Sequence, residues 1–172
     1  MITRKVIMIG MREAGKTSLV RRLVHRTFRG DYHSTLGVEI HPYTVKAERL
    51  GEPVKEDLNL MLWDTQGEID KRIFRHPYFL GSAGVCVVGD ATDRASLEQM
   101  VELALICDVE AAGRPCVLLC NKVDLLESDQ ELALPASFDR KRWPVFKTSA
   151  KDDINVIEAY EHVARAIVRR GL

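Results

Sequence analysis

Short apolar runs alternate with longer amphipathic stretches along this chain. Val6-Ile7-Met8-Ile9, the run from Ala83 to Val88 and the run from Pro115 to Cys120 are continuously apolar. Such runs fit strands covered on both faces, as in a parallel sheet. Val38 to Glu48 alternates instead, and Pro42 within it argues for a sheet edge. Leu50-Gly51-Glu52-Pro53 has turn chemistry, and Leu58 to Trp63 reads as the returning strand of a hairpin. Trp143 to Lys147 predicts the last strand.

Between the strands the apolar spacing changes to that of helices. Leu19, Val20, Leu23 and Val24 mark one face of a helix over about Lys16 to Thr27. Thr92-Asp93 predicts the cap of a long helix running to about Ala112, with Leu97, Met100, Val101, Ala104 and Leu105 inward and Gly113 stopping it. Val156, Ile157, Tyr160, Val163, Ala164, Ile167 and Val168 give the buried face of a closing helix over about Asp153 to Arg170. Glu68 to Leu80 reads as partly helical, interrupted by Pro77. Leu125 to Arg142 is poorly patterned; Glu131 to Leu134 predicts a short helix before Pro135, and Ser137 caps a further turn. Phe28 to Gly37 is small and polar, a loop long enough to suggest function. The alternation predicts an α/β fold: a mostly parallel sheet with one antiparallel edge strand and helices on both faces.

The totals narrow the classes. A chain of 172 residues with 46% hydrophobic residues predicts one folded domain over 1–172. Lys plus Arg equals Asp plus Glu at 25 each, so no global basic field favours nucleic acid. No apolar run approaches the roughly 20 residues of a membrane span. Met1-Ile2-Thr3-Arg4-Lys5 enters a strand directly, which leaves no room for a signal peptide. Cys86, Cys107, Cys116 and Cys120 lie in apolar segments and read as core residues in a reducing, cytoplasmic setting.

Chemistry concentrates at the ends of the strands. Gly10-Met11-Arg12-Glu13-Ala14-Gly15-Lys16-Thr17 matches the phosphate-loop pattern between a strand and a helix. Backbone N–H groups from Glu13 to Ser18 would surround a phosphate chain, aided by the helix dipole. Lys16 supplies charge for the β- and γ-phosphates, and Thr17 a hydroxyl for Mg²⁺. Asp64-Thr65-Gln66-Gly67 adds a carboxylate for Mg²⁺ and a glycine N–H for a terminal phosphate. In Asn121-Lys122-Val123-Asp124, the Asp124 carboxylate matches two neighbouring donors of guanine that adenine lacks. The Lys122 stem would cover the base while its ammonium stays hydrated, and Ala150 in Ser149-Ala150-Lys151 offers an N–H to the guanine oxygen. These segments all follow strands, where ligands bind in open α/β sheets.

With Thr35-Leu36-Gly37-Val38-Glu39, Trp63-Asp64-Thr65-Gln66-Gly67, Tyr78 to Gly84 and Thr148-Ser149-Ala150-Lys151 added, the chain resembles a Ras-superfamily small GTPase of the Rab-like branch. The resemblance spans nearly the whole chain. It implies a P-loop G domain of six strands and five helices that binds GTP or GDP with Mg²⁺ and hydrolyses GTP. It also implies that Phe28 packs on guanine and that Thr35 joins Mg²⁺ and the γ-phosphate. Phe28 to Gly37 and Gly67 to Pro77 would then be the two switches that meet effector and regulatory proteins. Two residues depart from the pattern near the γ-phosphate. Glu68 stands where the family usually has a water-orienting glutamine, and Arg12 where Ras has a glycine. Arg12 can block water and an incoming arginine finger, act as a finger in cis, or pair with Glu68; the block, together with Glu68, leads to an expectation of slow hydrolysis. The alternative is a GTP-binding interaction module with negligible turnover, of prokaryotic Ras-like or Roc type. An ATP-dependent enzyme is a third class, opposed by Asp124 and Ala150. The ending Arg169-Arg170-Gly171-Leu172 carries no prenylation cysteine, and Ile2 is not a myristoylation glycine.

Overall fold

The computed structural model describes residues 1–30, 37–51, 56–65, 78–127, 132–138 and 143–171. A sheet of six strands has the order β2-β3-β1-β4-β5-β6. The strands are β1 (Ile2–Gly10), β2 (Val38–Val45), β3 (Leu58–Thr65), β4 (Ser82–Asp90), β5 (Cys116–Asn121) and β6 (Val145–Lys147). β1 runs parallel to β3 and β4, and β4, β5 and β6 continue in parallel. β2 alone is antiparallel, pairing Glu39 with Asp64 and Pro42 with Met61. Pro42 therefore sits on an edge strand, where its missing N–H is tolerated.

The two faces of β1 explain its unbroken apolar run. Val6 and Met8 enter a core with α1 (Lys16–His25) and α4 (Val156–Arg169). Ile7 and Ile9 enter the opposite core with α3 (Arg94–Glu110). Gly84 lets α4 pack closely: a Cβ there would lie 3.2 Å from Val163 and 3.3 Å from Ile167. No helix among the described residues is long and apolar enough to cross a membrane.

Several boundaries differ from the sequence expectation. β2 stops at Val45 rather than Glu48, and a single turn, α2 (Ala47–Leu50), follows. Asp57 accepts the Ala47 N–H at 3.0 Å and an ion pair from Lys46 at 2.8 Å, which takes this backbone off the ladder. Leu50 is then fully buried. α1 ends before Thr27 because Arg26 turns left-handed at φ 56° and donates its N–H to Arg22 O. Leu105 of α3 is 43% exposed, not inward. It lies about 100° round the helix from Ala104, beyond the stripe formed by Leu97, Met100, Val101 and Cys107. Asp108 fills the remaining place near that stripe and accepts from Trp143 Nε1 at 3.3 Å. Trp143 itself is buried but precedes β6 rather than beginning it.

Leu132–Leu134 form no helix; Leu132, Leu134 and Phe138 instead pack on the α3 side of the sheet. Ser137 lies in a turn closed by Phe138 N donating to Pro135 O at 2.9 Å. α4 starts at Val156 because Ile154 exchanges backbone hydrogen bonds with Ser149, at 3.0 and 3.1 Å. Of the five helices expected, the described residues contain α1 to α4 and a 3-10 turn at Val123–Leu125. The expected helical stretch from Glu68 to Pro77, the turn residues Glu52 and Pro53, and Glu131 lie outside the described residues.

Candidate nucleotide site

The loop after β1 is built on backbone angles closed to most side chains. Gly10 has φ 149°, and a Cβ on it would lie 2.1 Å from Val88 O. Gly15 has φ 96°, and a Cβ there would lie 2.1 Å from the Asn121 amide nitrogen. Glu13 between them also has positive φ, at 62°. Such alternation turns successive N–H groups to one side and makes an anion cradle. Gly15 caps α1 without a side chain, so the first N–H groups of the helix have no side-chain cap.

Lys16 lies folded back on this loop. Its ammonium donates to Gly10 O at 3.0 Å and Met11 O at 2.9 Å, and the residue is 6% exposed. Burial lowers its pKa to about 8, against the pull of Asp64 in the other direction. Thr17 donates its hydroxyl to Asp64 Oδ2 at 2.5 Å. Asp64 Oδ1 is buried and has no hydrogen-bond partner among the described residues. Burial raises the Asp64 pKa, partly offset by Thr17 and Lys16. A hydroxyl beside a carboxylate with one unsatisfied oxygen fits a hard dication such as Mg²⁺.

The base-reading segments meet the phosphate loop through Asn121. Its Nδ2 donates to Ala14 O at 3.1 Å, and its Oδ1 accepts from Ala150 N at 3.2 Å. Ser149 donates to Asp124 Oδ1 at 2.6 Å and accepts from Asp152 N at 3.0 Å. Lys122 adopts φ 66° and its ammonium forms an ion pair with Asp90 Oδ2 at 2.6 Å. Its charge is thus paired with protein on a side chain that stays 30% exposed. Burial opposes charge on Asp90, but hydrogen bonds from Lys122 and Thr92 prevail and hold its pKa low.

A Ras family model matches residues 5–169. The chain belongs to the Ras family. It is 36% identical to the Ras-related protein Rab-7b of Homo sapiens over 172 residues, 96% of this chain and 83% of that one. It is 33% identical to Rab-1 of Theileria annulata over 167 residues, covering 95% and 73%. Rab-13 of Canis lupus familiaris is 32% identical over 173 residues, covering 97% and 81%. The chain is therefore a Rab-like small GTP-binding protein of the GTPase kind, from a family that binds GTP, GDP and Mg²⁺.

In this Ras-family chain the sheet brings Gly15, Lys16, Thr17, Asp64, Asn121 and Ala150 together at one edge. Arg12 and Lys151 are exposed, and Phe28 is 39% exposed. Thr35, Gln66, Gly67 and Glu68 lie outside the described residues, as do most positions of both expected switches. Two supporting residues escaped the sequence reading. Asp90 ends β4, a position at which any acidic residue merits notice. Arg22 donates to Ala150 O at 2.7 Å and to Lys151 O at 2.8 Å. In the sequence it is one of four basic residues, Arg21, Arg22, His25 and Arg26, away from the apolar stripe of α1, with nothing to single it out.

Proposed function

We propose that residues 1–172 form one guanine-nucleotide switch domain that binds GTP or GDP with Mg²⁺ and slowly hydrolyses GTP to GDP and phosphate. The observation that carries this reading is Asn121, which joins the phosphate loop at Ala14 to the base loop at Ala150. Backbone N–H groups of Glu13, Ala14, Gly15, Lys16, Thr17 and Ser18 hold the phosphates. Lys16 leaves the Gly10 and Met11 carbonyls for the β- and γ-phosphates. Phe28, Lys122 and Lys151 border the base, and Asp124, held by Ser149, accepts the two guanine donors. Thr17, Asp64 and Thr35 hold Mg²⁺, which when bound supplies positive charge at the phosphate oxygens.

Gly67 and Glu68 attend the γ-phosphate. An ionised Glu68 only accepts hydrogen bonds, so it orients water less well than an amide and adds negative charge near phosphate. Arg12, on the exposed turn of the loop, crowds the same region. Both residues keep a second reading alive, a GTP-binding interaction module with negligible turnover. Effectors and regulators would contact residues 28–37 and 67–77. The free, buried cysteines fit a cytoplasmic location.

Single-turnover GTP hydrolysis by wild type, Arg12→Ala and Glu68→Gln tests the rate argument. Slow hydrolysis that quickens in either variant supports it. Fast hydrolysis that falls on removing Arg12 would make Arg12 a finger and overturn the block. Wild type that binds GTP without measurable hydrolysis favours the interaction module.

A further inference from the structure

Beside Asp64, on the antiparallel hairpin, two side chains have no assigned task. Glu39 is the direct cross-strand partner of Asp64, and His41 lies two residues on along β2. Successive alternate residues of a strand share a face, so the pairing places all three on the same side of the sheet. One ligand atom from each of Glu39, His41 and Asp64 lies within 4.8 Å of the others. His41 Nε2 is 3.3 Å from Glu39 Oε2, yet it makes no hydrogen bond among the described residues and is shielded from solvent. Asp64 is fully buried, and its Oδ1 also lacks a hydrogen-bond partner among the described residues.

Mg²⁺ accounts for the Asp64 oxygen, but it leaves the shielded His41 Nε2 facing two carboxylates without a hydrogen bond among the described residues, an arrangement that a shared ion would satisfy. We propose that Glu39, His41 and Asp64 form a binding site for a first-row transition-metal dication, of which Zn²⁺ and Co²⁺ are the probes. An imidazole with two carboxylates is a donor set suited to such ions, whereas Mg²⁺ prefers oxygen and water alone. Ligands about 2.1 Å from an ion stand about 3.4 Å apart at a tetrahedral edge. The His41–Glu39 separation already matches this. Rotation of the half-exposed Glu39 closes the remainder. Asp64 is shared with the proposed Mg²⁺ site, so a transition ion here competes for that carboxylate and ties β2 to β3 at the nucleotide edge. The site stands on the hairpin geometry and does not depend on the hydrolysis reading.

The GDP-bound chain in millimolar Mg²⁺ is titrated with Co²⁺, following its visible absorption, and then with Zn²⁺ in competition. One ion per chain is expected, with affinity weakened about ten-fold or more in His41→Ala and in Glu39→Gln. Binding of a fluorescent GDP in Mg²⁺ checks each variant independently, so failure of the metal site and failure of the nucleotide reading are separable. In wild type, ¹⁵N-histidine spectra provide a measurement that needs no variant. Of the five histidines, only His41 should shift its Nε2 on adding Zn²⁺. Unchanged Co²⁺ affinity in His41→Ala, or a Zn²⁺ shift at His25 or another histidine with none at His41, overturns the proposal.

Discussion

Asn121 and Ala14 are hydrogen bonded across 107 positions of sequence, the side-chain amide donating to the loop carbonyl at 3.1 Å. The same side chain accepts from Ala150 N and, more weakly, from Thr148 Oγ1 at 3.4 Å. Asn121 is 2% exposed, so its partners have no water to turn to. Asn121→Ala should lower stability by about 2–3 kcal/mol, since each buried group left unpaired costs about 1–3 kcal/mol. The expected outcome is a Tm lower by roughly 5–10 °C. Fluorescent GDP should also dissociate at least about ten-fold faster. Release at the wild-type rate would remove Asn121 from its place as the link between the two loops.

Arg22 acts on the same loop from α1. Two of its side-chain hydrogen bonds hold the Ala150 and Lys151 carbonyls, and with them the orientation of the Ala150 N–H, while a third reaches Arg26 O. Arg22→Ala should raise the GDP dissociation constant by about ten-fold, in line with about 1.5 kcal/mol for a charge-assisted bond. Arg22→Lys should recover little, because a point charge cannot bridge both carbonyls in a fork. Fluorescence anisotropy of labelled GDP measures both.

Asp124 sets the base. Ser149 holds one of its oxygens at 2.6 Å, which fixes the carboxylate plane. Asp124→Asn replaces an acceptor with a donor and opposes the guanine N–H groups. Guanine affinity should fall by about 10³-fold or more. Xanthine, which carries a carbonyl in place of the amine, should bind the variant better than guanine does. Competition between the two diphosphates for Asp124→Asn decides this, and retained guanine preference would locate base reading elsewhere.

Lys16 gives the site a pH signature. Burial lowers its pKa to about 8 in the ligand-free chain. Phosphate oxygens favour the charged ammonium, so bound nucleotide raises that pKa again. Below pH 8 the lysine is protonated with or without ligand, and affinity is flat with respect to this group. Above about pH 8 binding takes up a proton, and affinity falls as pH rises. Calorimetry of GDP binding at pH 9 in buffers of different ionisation heat should report uptake of a fraction of one proton, absent at pH 6.5. Folding follows the opposite course. A depressed lysine pKa disfavours the folded state below 8, and that penalty lifts as pH climbs from 8 towards 10.5.

The phosphate loop was legible because its parts are neighbours in sequence. Gly10, Gly15, Lys16 and Thr17 carry their geometry locally, and the strand before and the helix after them follow from periodicity alone. The edge position of β2 was legible too, since Pro42 cannot donate to a ladder. The end of β2 was not, because Asp57, from beyond the hairpin turn, captures Ala47. Leu105 was misplaced because apolar spacing leaves the rim of a helical stripe undetermined, and packing set the half-buried Asp108 against Trp143 instead. The strand end marks Asp90 as a position to notice, but its ion pair with Lys122, like the Arg22 fork to Ala150 and Lys151, joins residues far apart in the chain.

By itself the sequence determined the alternation of strands and helices, the phosphate-binding loop and the residue types able to read guanine. These are local properties, set by backbone angles, side-chain period and the donors and acceptors each residue carries. Only the tertiary structure decided which of these groups meet. Parallel pairing of β1, β4 and β5 brings Gly10, Asp90 and Asn121 to one edge, and antiparallel pairing of β2 with β3 sets Glu39 and His41 beside Asp64. Strand order and register bring distant residues together, and one-dimensional spacing carries neither.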